Sequence, residues 1–519
     1  MCTPKVVFKT YDQQQSMLLP PNLDELIEQH HPVRVINAVI DRVDLDAVIA
    51  TYKGGGTSGF HPRLLLKVLV YAYVCNEYSS RRIEQLLRRD IQFMWLAAMA
   101  TPDHNTINRF RTERLKDVLK DVFTQVVKLL VESGHVGLKD INVDGTKIEA
   151  NANRYTFVWG NAIKNNREKM GQQLEELWNY AETVAAEELK DKRPSSFAPV
   201  DAEQVQKTIE QINGALANKE VDKKVKQKLS YAKKNWPANT AKYNESEKIL
   251  DGRNSYSKTD NDATFMRMKE DHMKNGQLKP GYNVQISSED QFVLNYTVHP
   301  NPTDTLTLPT HIDDFEQQLG AVPDTLTADA GYGSEQNYEV MEQKGIEAYV
   351  KYNYFDKEQH GSRSSLHADQ LYYNKDEDYV VCPMGQHMKN IASHKDRSKS
   401  GYEQLITKYQ AHNCEGCPMR GMCHKQKGNR IVEINHRLRE LKAQAAQRLR
   451  SEEGVRKRKK RCHDVEPIFA NWKQNKHFRR FNLRGKNKVT IEIGLIALAH
   501  NLQKLTGKKK VAKRVKNAA

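Results

Sequence analysis

The sequence predicts an α/β core interrupted by inserted segments and preceded by an all-α N-terminal domain. Two patterns and a charge carry that expectation. As far as about residue 133, helix-start signals recur ahead of apolar residues at helical spacing. From Ile141 the apolar period drops to two, and short strand-like runs then alternate with helical ones up to Val350, as in βαβ units. The 519 residues carry 81 Lys+Arg against 65 Asp+Glu, and a formal charge of +16 implies a polyanionic partner, nucleic acid ahead of an acidic small substrate. At roughly 100–200 residues per domain, a chain of this length holds about three or four folding units.

The most apolar stretch, Leu64 to Cys75, is broken by Lys67 and falls short of the ~20 residues of a membrane-spanning helix, so no membrane partner is expected. Met1 to Pro20 lacks a basic start followed by an apolar block and a cleavage site, which places the protein in the cytoplasm. Seven cysteines, an odd number, argue against a disulfide framework.

Residues 15–133 form the helical DNA-binding domain. Asn22, with Glu25 three residues on, reads as a capping box. His61-Pro62 precedes the apolar run Leu64 to Leu69, with Cys75 read as a small core residue after it. Ser79-Ser80 and Thr101-Pro102-Asp103 open two more helices. The arginines along them, Arg81, Arg82, Arg109 and Arg111 among others, suit a helix-turn-helix reader of DNA, although basic helix surfaces are also simply solvated.

Residues 134–160 begin the core, with Ile141 and Val143 on a strand that enters a hairpin. Residues 161–250 are a helical insertion, read as a hairpin broken at Arg193-Pro194 and Phe197-Ala198-Pro199. Residues 251–352 resume the core: strands near Gly281–Ile286 and Phe292–Val298, a helix from Thr307 to Leu319, a strand at Asp324–Asp329, a helix from Ser334 to Lys344, and a strand at Ile346–Val350. A cysteine-containing insertion fills 353–450, the core closes over 451–506, and 507–519 is a basic tail, read as disordered.

Asp144 and Asp329 both lie at strand ends, where ligands of open α/β sheets bind, so the two carboxylates can meet. Each also has a plain reading, Asp144-Gly145 as a hairpin turn and Asp329 as a strand-to-helix turn. A third carboxylate, Glu466, stands before Pro467 at a helix start, with Lys473 two turns along the same face. Basic residues flank it, Arg456 to Arg461 before and Arg479, Arg480 and Arg484 after, as contact with a phosphate backbone requires. Asp260, Asp262 and Asp304 read as loop and cap residues.

These segments resemble the DDE transposases of bacterial insertion sequences that join a helical N-terminal domain to a ribonuclease H-like catalytic core. The likeness rests on Asn142-Val143-Asp144-Gly145-Thr146-Lys147, Thr327-Ala328-Asp329-Ala330-Gly331-Tyr332-Gly333, and Val465-Glu466-Pro467 with Lys473 and Phe478-Arg479-Arg480-Phe481. Pro102-Asp103-His104-Asn105-Thr106 with Phe110-Arg111, and Ala497 to Leu502, extend it to both ends. The resemblance implies Asp144, Asp329 and Glu466 as the catalytic, metal-holding triad and Lys473 as a contact to substrate DNA. It departs in one place: Cys462 stands where the family's signature arginine falls, and Arg461 is one residue earlier.

Three carboxylates without a protein nucleophile suit two Mg²⁺ (or Mn²⁺) ions and in-line displacement at phosphorus, with water cleaving the element's end and the freed 3′-hydroxyl attacking target DNA. The partners implied are double-stranded DNA, as element ends and target, and further copies of the chain on that DNA; the protein is then nucleoid-associated when bound. A catalytically inactive DNA-binding descendant and a structure-selective nuclease on the same fold are the alternatives. Cys382, Cys414, Cys417 and Cys423 admit a structural zinc site by composition and spacing, with reduced free thiols an equal reading.

Overall fold

The computed structural model describes residues 22–52, 59–268, 276–361, 364–398 and 400–518, with side chains as far as 507. Residues 15–21, Met1 to Pro20 as a non-secretory start, and the side chains of the basic tail lie outside what is described. The chain divides into two compact units, Met1–Val118 with Leu498–Ala519, and Leu119–Ala497. Among the described residues no helix is long and apolar enough to cross a membrane.

The first unit is helical: α1 (Pro32–Asp41), α2 (Asp46–Ile49), α3 (Pro62–Val74), α4 (Ser80–Leu86), α5 (Ile91–Leu96) and α6 (His104–Arg109). Its first helix starts at Pro32 rather than Asn22, whose side chain instead accepts from the Asp24 amide within a turn. Both His-Pro pairs act alike. The His31 and His61 rings accept from the amides of Val33 and Arg63, while the proline fixes the first helical φ. Val33, Ile36 and Ile40 of α1 are buried, as is nearly all of α3, and Tyr71 meets Phe93 at 4.9 Å. Cys75 is exposed at the end of α3, not in the core, because the helix stops there and Asn76 turns back with positive φ.

The second unit opens with α7 (Leu119–Glu132), which the sequence had placed in the first. Its apolar face packs on the central sheet, where Phe123 meets Tyr296 edge to face at 5.0 Å. That sheet is built from β1 (Asp140–Glu149), β4 (Thr264–Arg267), β5 (Leu278–Glu289), β6 (Phe292–His299), β7 (Thr325–Ala328) and β8 (Glu347–Val350), with a separate pair, β2 (Phe157–Trp159) and β3 (Ser255–Ser257). The spatial order is β5-β1-β7-β8, and β4 and β6 share the outer edge of β5. β1, β5 and β6 run antiparallel in turn, while β1, β7 and β8 are parallel. β1 is one continuous strand, so Asp144-Gly145 is not a hairpin turn. Gly145 is there because a Cβ would stand 2.3 Å from Gln285 Nε2 and 2.8 Å from Asp304 Oδ1.

Between β2 and β3 lie three helices where a hairpin was expected, α8 (Gly160–Val184), α9 (Ala202–Leu216) and α10 (Lys223–Leu250), closed around Trp178, Ile209, Ile212 and Trp236. After β6 come α11 (Leu308–Leu319) and, between β7 and β8, α12 (Glu335–Gln343), capped by Ser334 and ended at Gly345 with φ +71°. The second insertion carries α13 (Phe355–Gln359) and an antiparallel sheet in sequential order: β9 (Tyr373–Asn374), β10 (Tyr379–Val381), β11 (His387–Arg397), β12 (Glu403–Gln410) and β13 (Ile431–Ile434), with α14 (Arg420–Cys423) before β13. The chain ends in α15 (His436–Arg450), α16 (Glu452–Asp464), α17 (Glu466–Ala470) and α18 (Lys486–Ala518), so helix runs through the stretch read as a disordered tail.

Candidate active site

β1 presents Asp140, Asn142 and Asp144 on one face by its period of two. Its register with β7 pairs Asn142 with Thr327, so two residues further on Asp144 and Asp329 lie side by side on neighbouring parallel strands. The helix α16 crosses that face. Lys457, Arg461 and Asp464, at i, i+4 and i+7, form its inward stripe. Lys457 Nζ donates to Asp140 Oδ1 at 2.8 Å and Thr325 Oγ1 at 2.6 Å. Asp464 Oδ2 accepts from Asn142 Nδ2 at 2.5 Å and from Ser288 Oγ at 3.2 Å, and its other oxygen accepts from the Gln291 amide.

Between those anchors Arg461 reaches both predicted catalytic aspartates, 3.2 Å from Asp144 Oδ2 and 3.8 Å from Asp329 Oδ2. The Asp144 side chain is 14% exposed and that of Asp329 51%, so one carboxylate is set into the sheet and the other opens to solvent. Burial opposes the guanidinium's charge, but Asp144 and Asp329 outweigh it and hold Arg461 above its ordinary value. Burial raises Asp464, against its hydrogen bonds from Gln291, Asn142 and Ser288. The Lys457 ammonium beside Asp140 holds that carboxyl below its usual range.

Glu466, the third predicted acid, begins α17 two residues after the buried Asp464. It is exposed and makes no hydrogen bond or ion pair with a described residue. Among the described residues no three His, Cys, Asp or Glu side chains are drawn into a group that could hold a metal as they stand. The donor chemistry nonetheless fits a hard divalent cation: two adjacent carboxylates already converge on one positive group, and a third, uncommitted carboxylate opens the next helix.

Several predicted DNA contacts are placed otherwise. Lys473 is 7% exposed and does not share a face with Glu466, because residues Asn471–Asn475 form a π turn, closed by Lys476 N to Asn471 O at 2.9 Å, that rotates it inward. Arg111 is 3% exposed and donates to Tyr78 O at 2.7 Å and Asn108 Oδ1 at 3.2 Å, again from a π turn, Phe110–Arg114. Both were read as facing DNA; both are buried where they stand. Arg480 and Arg484 remain exposed while tying the chain to the end of β1, Arg480 through Ala150 O and Ala152 O and Arg484 through Asn151 O. Arg479 donates to Lys473 O at 3.0 Å, and Arg81, Arg82 and Arg109 are exposed.

Arg461 itself, with Lys457 and Asp464, was missed as a site residue. The signal was present: three polar residues at i, i+4 and i+7 in a helix facing Asp140, Asn142 and Asp144 at period two. In the sequence Arg461 stood as part of the basic run Arg456 to Arg461 and as a neighbour, one residue off, of the signature arginine's position.

Residues 381–506 match the family model of the transposase DDE domain, and residues 21–113 match that of a second transposase domain (DUF772). No curated protein matches the chain. The first match takes in Arg461, Glu466 and the four clustered cysteines, and the second covers the helices α1 to α6. Both matched stretches are transposase domains, and together they support an insertion-sequence DDE transposase.

Proposed function

We propose that the protein cleaves the ends of its element and joins them to target DNA by divalent-metal-dependent phosphoryl transfer, on a ribonuclease H-like core whose acidic residues are Asp144, Asp329 and Glu466. The observation that carries this reading is the pairing of Asp144 with Asp329 across β1 and β7 on a shared guanidinium. The mixed order β6-β5-β1-β7-β8, antiparallel on one side of β1 and parallel on the other, supports the core assignment.

Asp144, Asp329 and Glu466 would hold Mg²⁺ (or Mn²⁺), which when bound supplies Lewis acidity at the phosphate and at the attacking oxygen. Asp144 is the fixed ligand, set in mid-strand with its neighbours Ile141 and Val143 buried. Asp329, at a strand end before the short turn Ala330–Tyr332, stands half open to DNA. Asp464 and Lys457 anchor α16 on the sheet, and Glu466 follows two residues after Asp464. Exposed arginines, Arg81, Arg82 and Arg109 in the first unit and Arg479, Arg480 and Arg484 in the second, neutralise DNA phosphates.

The test is a Mg²⁺-dependent cleavage and joining assay on DNA carrying the element's ends, comparing wild type with Asp329→Ala. Joined product from the wild type only is expected. Cleavage without joining would indicate a nuclease, and salt-sensitive binding without either product, in both proteins, would leave only a DNA-binding descendant.

A further inference from the structure

Two connections of the second insertion, β10 to β11 and β12 to β13, bring four cysteines to one place. Cys382 follows β10, Cys414 and Cys417 follow β12, and Cys423 closes α14 ahead of β13. All four line one cavity of about 20 Å³, together with His424 and Arg430. That is room for little more than one water-sized sphere, which needs ~10–15 Å³.

The backbone around the sulfurs supplies hydrogen-bond donors to them. The turn Cys382–Gln386, made possible by Gly385 at φ +80°, aims the amides of Met384 and Gln386 at Cys382 Sγ, at 3.4 and 3.3 Å. The Arg430 amide donates to Cys414 Sγ at 3.3 Å and its guanidinium to Cys423 Sγ at 2.8 Å. Donors of this kind would hydrogen-bond the sulfurs of a metal-bound cysteine set and orient them. The His424 Nε2 is buried there without a hydrogen-bond partner.

The insertion also has little else to hold it. Its core is Leu371, Val380, Met388, Tyr409, Ala411, Cys414, Val432 and Ile434, and most of β11 is exposed. All four cysteines are free thiols.

We propose that Cys382, Cys414, Cys417 and Cys423 bind one structural zinc ion that staples the ends of β10, β12 and α14, with Arg430 offsetting part of the charge of four thiolates. The sulfurs are not yet grouped as a closed cage, so binding draws them inward by side-chain rotation around the existing cavity. The site is separate from Asp144, Asp329 and Glu466 and stands whether or not the protein joins DNA.

The test is metal analysis of the full chain, purified under reducing conditions without chelator. About one zinc per chain is expected, falling well below that in Cys382→Ser and Cys417→Ser and unchanged in Cys75→Ser and Cys462→Ser. Because the first two variants can misfold, the wild type is also titrated with a thiol-specific mercurial while zinc release is followed; release must track the reaction of four thiols. His424→Ala must retain the ion, and its loss would overturn the four-thiolate ligand set. A reduced wild-type chain that carries no zinc and takes up neither Zn²⁺ nor Co²⁺, or one in which these cysteines are paired as disulfides, would overturn the site itself.

Discussion

Arg461 shows how one side chain decides what two carboxylates do. Facing each other without it, Asp144 and Asp329 would repel; with it, the pair is held ready by a cation that a divalent ion can replace. Arg461→Ala should therefore lower the melting temperature in metal-free buffer, by a free energy of about 1–3 kcal/mol. Added Mg²⁺ should raise that temperature more in the variant than in the wild type, and equal metal shifts would remove Arg461's hold on the pair. A second residue-scale prediction concerns His299, which burial first and Lys486 next push down to about 4 from an ordinary 6.5. The folded state keeps it neutral while the unfolded chain takes up a proton below about pH 6.5. Stability is thus complete above that pH and declines as pH falls toward 4, by up to about 1.4 kcal/mol per unit. In urea unfolding at pH 6.5 and pH 5, His299→Gln should lose less stability across the interval than the wild type; identical losses would assign the pH dependence to other groups. Asp144 and Asp329 were legible as candidates because a charged residue at the end of an apolar run stands out. The partners that hold them were not, since Lys457 and Arg461 sit in a run of six basic residues that reads the same whether it faces sheet or solvent.

The proposed third acid, Glu466, follows directly on α16, whose seat is tight. α16 lies against α15 through Gly454, where a Cβ would meet Arg448 O at 2.1 Å and Leu449 Cα at 2.8 Å, both backbone atoms that cannot yield. Gly454→Ala should push α16 off its seat, costing about 1–3 kcal/mol of stability, and reduce DNA cleavage by moving Arg461, Asp464 and Glu466 together. Chemical denaturation and the cleavage assay check the two halves, and a variant with wild-type stability and activity would show that the helix is not positioned at this contact. The strands and most helix starts follow from the period-two runs and from caps such as Asp103 and Ser334. Two kinds of element did not. The third helix of the first insertion, α10, buries only the apolar Leu229, Ala232, Trp236 and Leu250 over 28 residues and contains Pro237, so its apolar stripe is too sparse to announce a helix. The π turns at Phe110–Arg114 and Asn471–Asn475 shift helical phase by one residue, and a 3.6-residue period then assigns Arg111 and Lys473 to the wrong face.

At the scale of the whole molecule, a charge of +16 on 519 residues does not act as a uniform coat. Part of it is spent inside the fold, on Arg111, Lys457, Arg461 and Lys473, so fewer cations are exposed than the sequence suggests. Exposed Arg81 and Arg109 differ from buried Arg111 in a way that binding and stability measurements separate. Each exposed arginine that neutralises a phosphate releases counterions, so Arg81→Ala and Arg109→Ala should weaken binding to any duplex and lower the slope of log affinity against log salt by about one unit each. Arg111→Ala should instead leave the carbonyl of Tyr78 and the amide of Asn108 without their donor, costing about 1–3 kcal/mol of stability. Where the variant is fully folded, its salt slope should match the wild type. If Arg111→Ala lowered the slope and Arg109→Ala did not, the face of the helical unit that meets DNA would be the one on which Arg111 now lies buried, and binding would require that unit to open.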